Sequence, residues 1–132
     1  MVRLLTAPLA AGAALALLCT AGAAFAGAPG NAAHGKAVFA AQCSMCHSAA
    51  PNGAGMMGPP LFGVVGRKAA TAAGFPYSPA MRAQTFTWTD ERLHAYLPAP
   101  ARMVPGTRMA MYPGLHDPRQ LDDVIAYLDS LK

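Results

Sequence analysis

The chain has 132 residues, a net charge of +4, 12% charged residues and three cysteines. That length bounds it to one small domain, and so weak a basic balance excludes a nucleic-acid binder built on phosphate neutralisation. The 54% hydrophobic content is inflated by the N-terminal stretch and by alanine, so it does not argue for a membrane protein.

The N-terminus reads as an export leader. Arg3 gives a short positive start, residues 4–18 are apolar apart from Thr6, Pro8 and Gly12, and Ala24-Phe25-Ala26 fits small-x-small cleavage. The expected organisation is a cleavable signal over 1–26 and one domain over 27–132, with Ala21-Gly22-Ala23 as a second cleavage point. A retained anchor is the alternative, but the apolar core falls short of the roughly 20 residues a span needs. Cys19 raises lipidation, against which stands the bulky Leu18 before it. Cleavage at Gly27 leaves about 106 residues, a charge of about +3 and two cysteines.

The first predicted element of that domain is a helix over Ala32–Gln42, with Val38 and Phe39 as its bulky residues. Gly35, one turn before Phe39, leaves room for a close helix crossing. The helix leads into Cys43-Ser44-Met45-Cys46-His47. In an exported protein, C-x-x-C-H is the attachment signature for covalent haem. Two thiols three positions apart each add to one vinyl group of the porphyrin, and the next residue offers its imidazole to the iron. A thioredoxin-like reading lacks the βαβ surroundings. Structural zinc wants four ligands, and only the scattered His34, His94 and His116 remain. A plain Cys43–Cys46 disulfide is the bland alternative.

Residues 49–58 have no periodicity and are read as loop. Ser78-Pro79 fits an N-cap and first-turn proline for a short helix ending near Gln84. Thr87 or Thr89 caps the next helix, with Asp90 and Glu91 in its first turn and Leu93, Tyr96 and Leu97 as its apolar stripe before Pro98. In the last helix Asp117 caps and Pro118 takes the first position, while Leu121, Val124, Ile125, Leu128 and Leu131 form the buried face. Asp122 and Asp123 read as solvated. No strand or repeat is evident. The predicted fold class is all-α, about four to five short helices wrapped around one haem.

An iron held by His47 needs a second axial ligand. Candidates are Met45, Met56, Met57, Met81, Met103, Met109 and Met111, with His94 and His116. Most methionines are packing residues. Met109 stands out because Pro105-Gly106-Thr107-Arg108, a rigid turn, precedes it.

The ordered blocks C-S-M-C-H, G-P-P-L-F-G-V-V-G-R-K, G-F-P-Y-S, W-T, Y-L, P-G-T-R-M and I-A-Y-L follow one another from Cys43 to Leu128, within a similarity that runs from Gly35 to Leu128. With them the chain resembles the small soluble cytochromes c, nearest the mitochondrial and alphaproteobacterial group. The resemblance implies one haem c bound through Cys43 and Cys46, with His47 as proximal and Met109 as distal ligand. It further implies that the Pro59 carbonyl accepts the proximal imidazole N–H, and that Arg67, Tyr77 and Trp88 hold the propionates. Tyr96 then packs near the distal methionine, Thr107 hydrogen-bonds near the haem edge, and Gly35, Phe39 and Tyr127 form the crossing of first and last helices.

The chain also departs from that pattern. Mitochondrial relatives ring the haem edge with lysines, whereas only Lys36, Lys68 and Lys132 remain here. Ala101 and Arg102 replace a common lysine pair, and Met81 stands where an asparagine near the inner propionate is usual. Met111-Tyr112-Pro113 replaces the familiar stretch after the ligand and is one residue longer, making Met111 a competitor for iron.

The function implied is a periplasmic one-electron carrier, not an enzyme. Its expected partners are larger redox proteins such as a quinol–cytochrome c oxidoreductase, a terminal oxidase or a periplasmic dehydrogenase. It is expected to be monomeric, without nucleic acid and without stable membrane insertion after cleavage. The alternatives are a haem domain with a labile sixth ligand, acting as gas sensor or weak peroxidase, and an anchored redox subunit.

Overall fold

The computed structural model describes residues 29–132; the expected leader, its cleavage points and Cys19 lie outside the described residues. Five α-helices run in the order α1 (Ala32–Gln42), α2 (Pro79–Arg82), α3 (Asp90–Tyr96), α4 (Pro100–Met103) and α5 (Pro118–Ser130), with a 3₁₀ turn over Arg108–Met111 before α5. No strand occurs among the described residues, only an isolated antiparallel bridge between Lys68 and Thr87.

Side-chain caps explain where most helices begin, because each satisfies a backbone N–H that the first turn leaves without a partner. Asn31 accepts from the N–H groups of Ala33 and His34 to start α1. Ser78 accepts from Met81 to start α2, and Thr89 from Arg92 to start α3. Thr87 is engaged in the bridge to Lys68 and caps nothing. Asp117 accepts from Gln120 to start α5, and Pro118 follows where a missing N–H costs nothing. Helix α2 ends at Arg82, short of Gln84, whose N–H reaches back to the Met81 carbonyl in a closing turn. Leu131 lies beyond the end of α5 and is only partly buried.

The first and last helices cross at Gly35. A Cβ there would overlap the Asp123 carbonyl and press on the Tyr127 Cβ at 2.8 Å. Phe39 meets Tyr127 edge-on, 5.5 Å between ring centroids, and Asn31 N–H donates to Asp123 Oδ1 at 2.6 Å. Asp123 is therefore a structural acceptor, in contrast to the solvated role read from sequence, and Asp122 lies 3.4 Å from His94 Nε2. The core joins Phe39 to the apolar face of α5 and to Leu93, Tyr96 and Leu97 of the α3 segment, with Val104 and Val124 fully enclosed.

Gly35→Ala separates two opposed effects. Helix propensity favours alanine by about 1 kcal/mol, whereas overpacking a tight contact costs about 1–3 kcal/mol, more against backbone that cannot rotate away. The clash wins, and the variant should melt several degrees below wild type, about 4–8 °C for each kcal/mol lost in a domain of this size. Thermal unfolding followed by circular dichroism at the helix band checks it; a melting point at or above wild type would refute the close crossing.

A candidate cofactor cavity

The C-x-x-C-H pentad continues α1 as one more turn. The N–H groups of Cys43 and Ser44 both return to the Phe39 carbonyl, at 2.8 and 2.9 Å, and those of Cys46 and His47 to the Cys43 carbonyl, at 3.0 and 2.9 Å. Residues three and four apart share a face of such a turn, so Cys43, Cys46 and His47 are presented together. The two thiols are not bridged. Burial, reinforced by neighbouring Cys46, pushes the Cys43 thiol up to about 11, so it stays protonated at neutral pH. Among the described residues no group of three or more His, Cys, Asp or Glu side chains is placed to hold a bare metal ion.

His47 is held from behind. Its Nδ1 lies 2.8 Å from the Pro59 carbonyl, which can only accept, so Nδ1 carries the proton and Nε2 keeps its lone pair. Burial lowers the imidazole's affinity for a second proton, opposed by the Pro59 bond, and the ring is neutral. Gly58 makes the approach possible, because a Cβ at that position would overlap the ring. Backbone bonds from Gly58 N–H to the Cys46 carbonyl and from Leu61 N–H to the Ser48 carbonyl, both 2.8 Å, clamp this loop to the pentad.

Met109 is placed by a second construction. Pro105 and Gly106 occupy the centre of a turn closed by Thr107 N–H to the Val104 carbonyl at 3.0 Å, and Gly106 takes the positive φ of 89° that such a turn requires. Thr107 Oγ1 then accepts from Met109 N–H at 3.2 Å and pairs with the buried Tyr96 hydroxyl at 3.0 Å. Tyr96 thus meets Thr107, and through it the Met109 backbone. Burial pushes the Tyr96 phenol up, the Thr107 bond opposing.

His47, Met109, Cys43 and Cys46 line one cavity of about 390 Å³. Apolar side chains from every helix-bearing region but α4 make most of its wall, including Phe39, Leu61, Val64, Met81, Leu93, Leu97, Val124 and Leu128. Arg67, Tyr77, Trp88, Tyr96 and Thr107 line it as well. Arg67 donates to the carbonyls of Pro60 and Phe62 at 2.7 and 3.2 Å, leaving other guanidinium donors uncommitted. Trp88 packs edge-on against Phe86 and Tyr96, at 4.8 and 4.9 Å between centroids, and the Tyr77 hydroxyl accepts from Ala72 N–H at 3.2 Å. Met111 reaches only the rim and is 94% exposed. His94 and His116 do not line the cavity.

Sequence reasoning missed two residues here. Gly58 is legible only once His47 is seen against it. Tyr112 donates to Gln42 Oε1 at 3.3 Å, joining the segment after Met109 to the end of α1 across 70 residues of sequence. Its only sequence signal is its place in the altered Met111-Tyr112-Pro113 stretch.

An apolar cavity with two free thiols on its wall, a neutral imidazole with a free Nε2, a thioether and a guanidinium with donors to spare fits a covalently attached haem bearing two carboxylates. Comparison with known proteins agrees. The family model described as cytochrome c matches residues 32–132. Cytochrome c2 of Rhodopila globiformis is 41% identical over 104 residues, 79% of this chain and 96% of that protein. Cytochrome c of Chlamydomonas reinhardtii is 42% identical over 79% of this chain and 93% of its own length. Among solved structures, cytochrome cH from Methylobacterium extorquens superposes with a TM-score of 0.68 at 43% identity, covering 76% of this chain and 99% of that one. Fold, cavity and relatives converge, and the chain belongs to the cytochrome c family of haem-binding electron carriers.

Proposed function

We propose that the protein is an exported, periplasmic one-electron carrier whose single haem c is bound through Cys43 and Cys46, with His47 and Met109 as axial ligands. The observation that carries this reading is the shared cavity, where a neutral imidazole oriented by Pro59 and the Met109 thioether both face the space that the two thiols border. When bound, haem c supplies an iron that gains or loses one electron. The chain's own residues do the rest. Pro59 fixes the imidazole tautomer and raises the basicity of Nε2. Thr107 and Tyr96 hold the Met109 backbone, and a thioether opposite an imidazole raises the reduction potential. The apolar wall excludes water, while Arg67, Tyr77 and Trp88 offer donors to the propionates, whose burial would otherwise be costly. With His47 and Met109 both holding the iron, no coordination position would be left for substrate, which favours a carrier over an enzyme.

Export rests on the leader read over residues 1–26, and no helix among the described residues is long and apolar enough to cross a membrane. Quinol–cytochrome c oxidoreductases, terminal oxidases and periplasmic dehydrogenases are the proposed partner classes.

Absorption spectra of the purified protein test the ligation. Sharp reduced α and β bands, a weak far-red sulfur-to-iron band when oxidised, and no shift with carbon monoxide are expected. A carbon monoxide shift without the far-red band would replace the carrier reading with a gas-binding or peroxidase one.

A further inference from the structure

The seven methionines of the described residues divide by burial. Met81 is 7% exposed in the core, and Met103 and Met109 pack against that core, partly buried. The other four are the large apolar side chains that stand exposed: Met45 at 81%, Met56 at 55%, Met57 at 75% and Met111 at 94%. Nor are those four spread evenly along the chain. Met45 lies between Cys43 and Cys46, Met56 and Met57 run up to the Gly58-Pro59 clamp on His47, and Met111 follows Met109 by two positions in one 3₁₀ turn. Gap-filling in a core is the ordinary use of the residue, and side chains this exposed fill no gap.

Resting on the carrier reading above, we propose that Met45, Met56, Met57 and Met111 form a sacrificial oxidation site, taking up fast two-electron oxidants of the hypohalous acid class and so sparing the Met109 thioether. In each event the sulfur lone pair takes chlorine from hypochlorous acid and releases hydroxide. Water then displaces chloride, forming the S–O bond, and its two protons leave, one of them to the hydroxide. Sulfur is oxidised by two electrons, chlorine is reduced to chloride, and the product is methionine sulfoxide. Thiols and thioethers are the side chains open to this chemistry, and with Cys43 and Cys46 both committed to haem the described residues hold no other thiol. Methionine sulfur is then the sink, and access decides which one reacts first. Side chains 55–94% exposed meet a solute freely. Met109 is partly enclosed and, on the proposed ligation, engages its lone pair with iron except while that bond is open. The order matters because sulfoxide is polar and disrupts packing. The oxygen that would damage Met81 or Met109 changes little on a side chain already in water, even two residues from the ligand. Four thioethers absorb about four equivalents, a guard against small doses of a fast oxidant and not against a large excess of a slow one.

The test is a titration of the oxidised holoprotein with hypochlorous acid, from about 0.5 to about 6 equivalents. Peptide mass spectrometry reads sulfoxide at each methionine, and the far-red band reads Met109 on the iron. In wild type, sulfoxide at the four exposed positions should run at least about fivefold ahead of Met109, with the band above about 80% through the first three equivalents or so. Wild type carrying those sulfoxides should melt within about 4 °C of the untreated protein, as surface changes do. Met45→Gln, Met56→Gln, Met57→Gln and Met111→Gln together keep length and remove the reactive sulfurs. That variant should start with the wild-type spectrum and lose half its far-red band at about one third of the wild-type dose. Three results would each overturn the proposal: sulfoxide at Met109 or Met81 in step with the exposed four, a quadruple variant that loses the band at the wild-type dose, and a band lost while only the exposed four carry oxygen. The first and third are read on wild type, so they decide even where the quadruple variant does not take up haem. All three leave the carrier reading standing. A wild-type protein that lacks the far-red band before any oxidant is added removes the Met109 ligation itself, and the guard with it.

Discussion

Replacing Cys43 and Cys46 together by alanine should yield a chain that retains no haem on a denaturing gel and does not fold to a stable monomer. The first half follows from chemistry, because these are the only cysteines among the described residues. The second half follows from size. A domain of about 100 residues has a limited core, and here the apolar faces of α1, α3 and α5, beyond the crossing at Gly35, border a cavity of about 390 Å³. Large-to-small substitutions put the cost of such a void at roughly 24 cal/mol for each Å³, so about 9 kcal/mol on that scale, comparable with the whole margin of about 5–15 kcal/mol of an ordinary domain. Single replacements should be milder, since one thioether still tethers the group. Haem-dependent peroxidase staining after denaturation and far-ultraviolet circular dichroism measure the two halves separately. Haem that survives denaturation in the double variant would refute the attachment through these thiols.

What sequence made legible here is local, and what it hid is long-range. The caps of α2 and α5 could be read because each is decided within four residues, by a hydroxyl or carboxylate at the helix start followed by proline in the first turn. Asn31 starts α1 by the same local rule, with an amide oxygen as the acceptor. Helix α4 gave no such signal, since Ala99 provides no side-chain cap and Pro98 reads as a stop. The pentad and the Pro-Gly turn before Met109 announced themselves through residue types that their chemistry or backbone demands. The bonds that bring these pieces together did not. Asn31 to Asp123 and Tyr112 to Gln42 join positions 92 and 70 residues apart, and nothing in the neighbourhood of either partner distinguishes it from a solvated polar residue. Resemblance to the family supplied residue roles for Arg67, Tyr77, Trp88 and Tyr96 that local pattern alone could not, and the structure places all four on the cavity wall.

Met109→Ala and Met111→Ala should differ in kind, although the two residues are two positions apart in one 3₁₀ turn. Met109 is partly buried, packs against the core and lines the cavity, and its N–H is tied to Thr107, itself paired with buried Tyr96. On the proposed ligation, truncation to alanine would remove the thioether that holds the iron, so the site should open to carbon monoxide. The potential should fall by an appreciable part of the about 0.8 V over which axial ligands range. Met111 is 94% exposed at the rim, and its truncation should leave the carbon monoxide spectrum, the far-red band and the potential as in wild type. Stability should divide the same way. Removing the partly buried Met109 should cost about 1–3 kcal/mol, below the full core penalty because the side chain is not fully enclosed, whereas a surface truncation at Met111 should stay within about 0.5 kcal/mol. Redox titration with carbon monoxide difference spectra on both variants distinguishes the assignments: a site opened by the Met111 change and left closed by the Met109 change would move the distal ligand to the residue where this chain departs from its relatives.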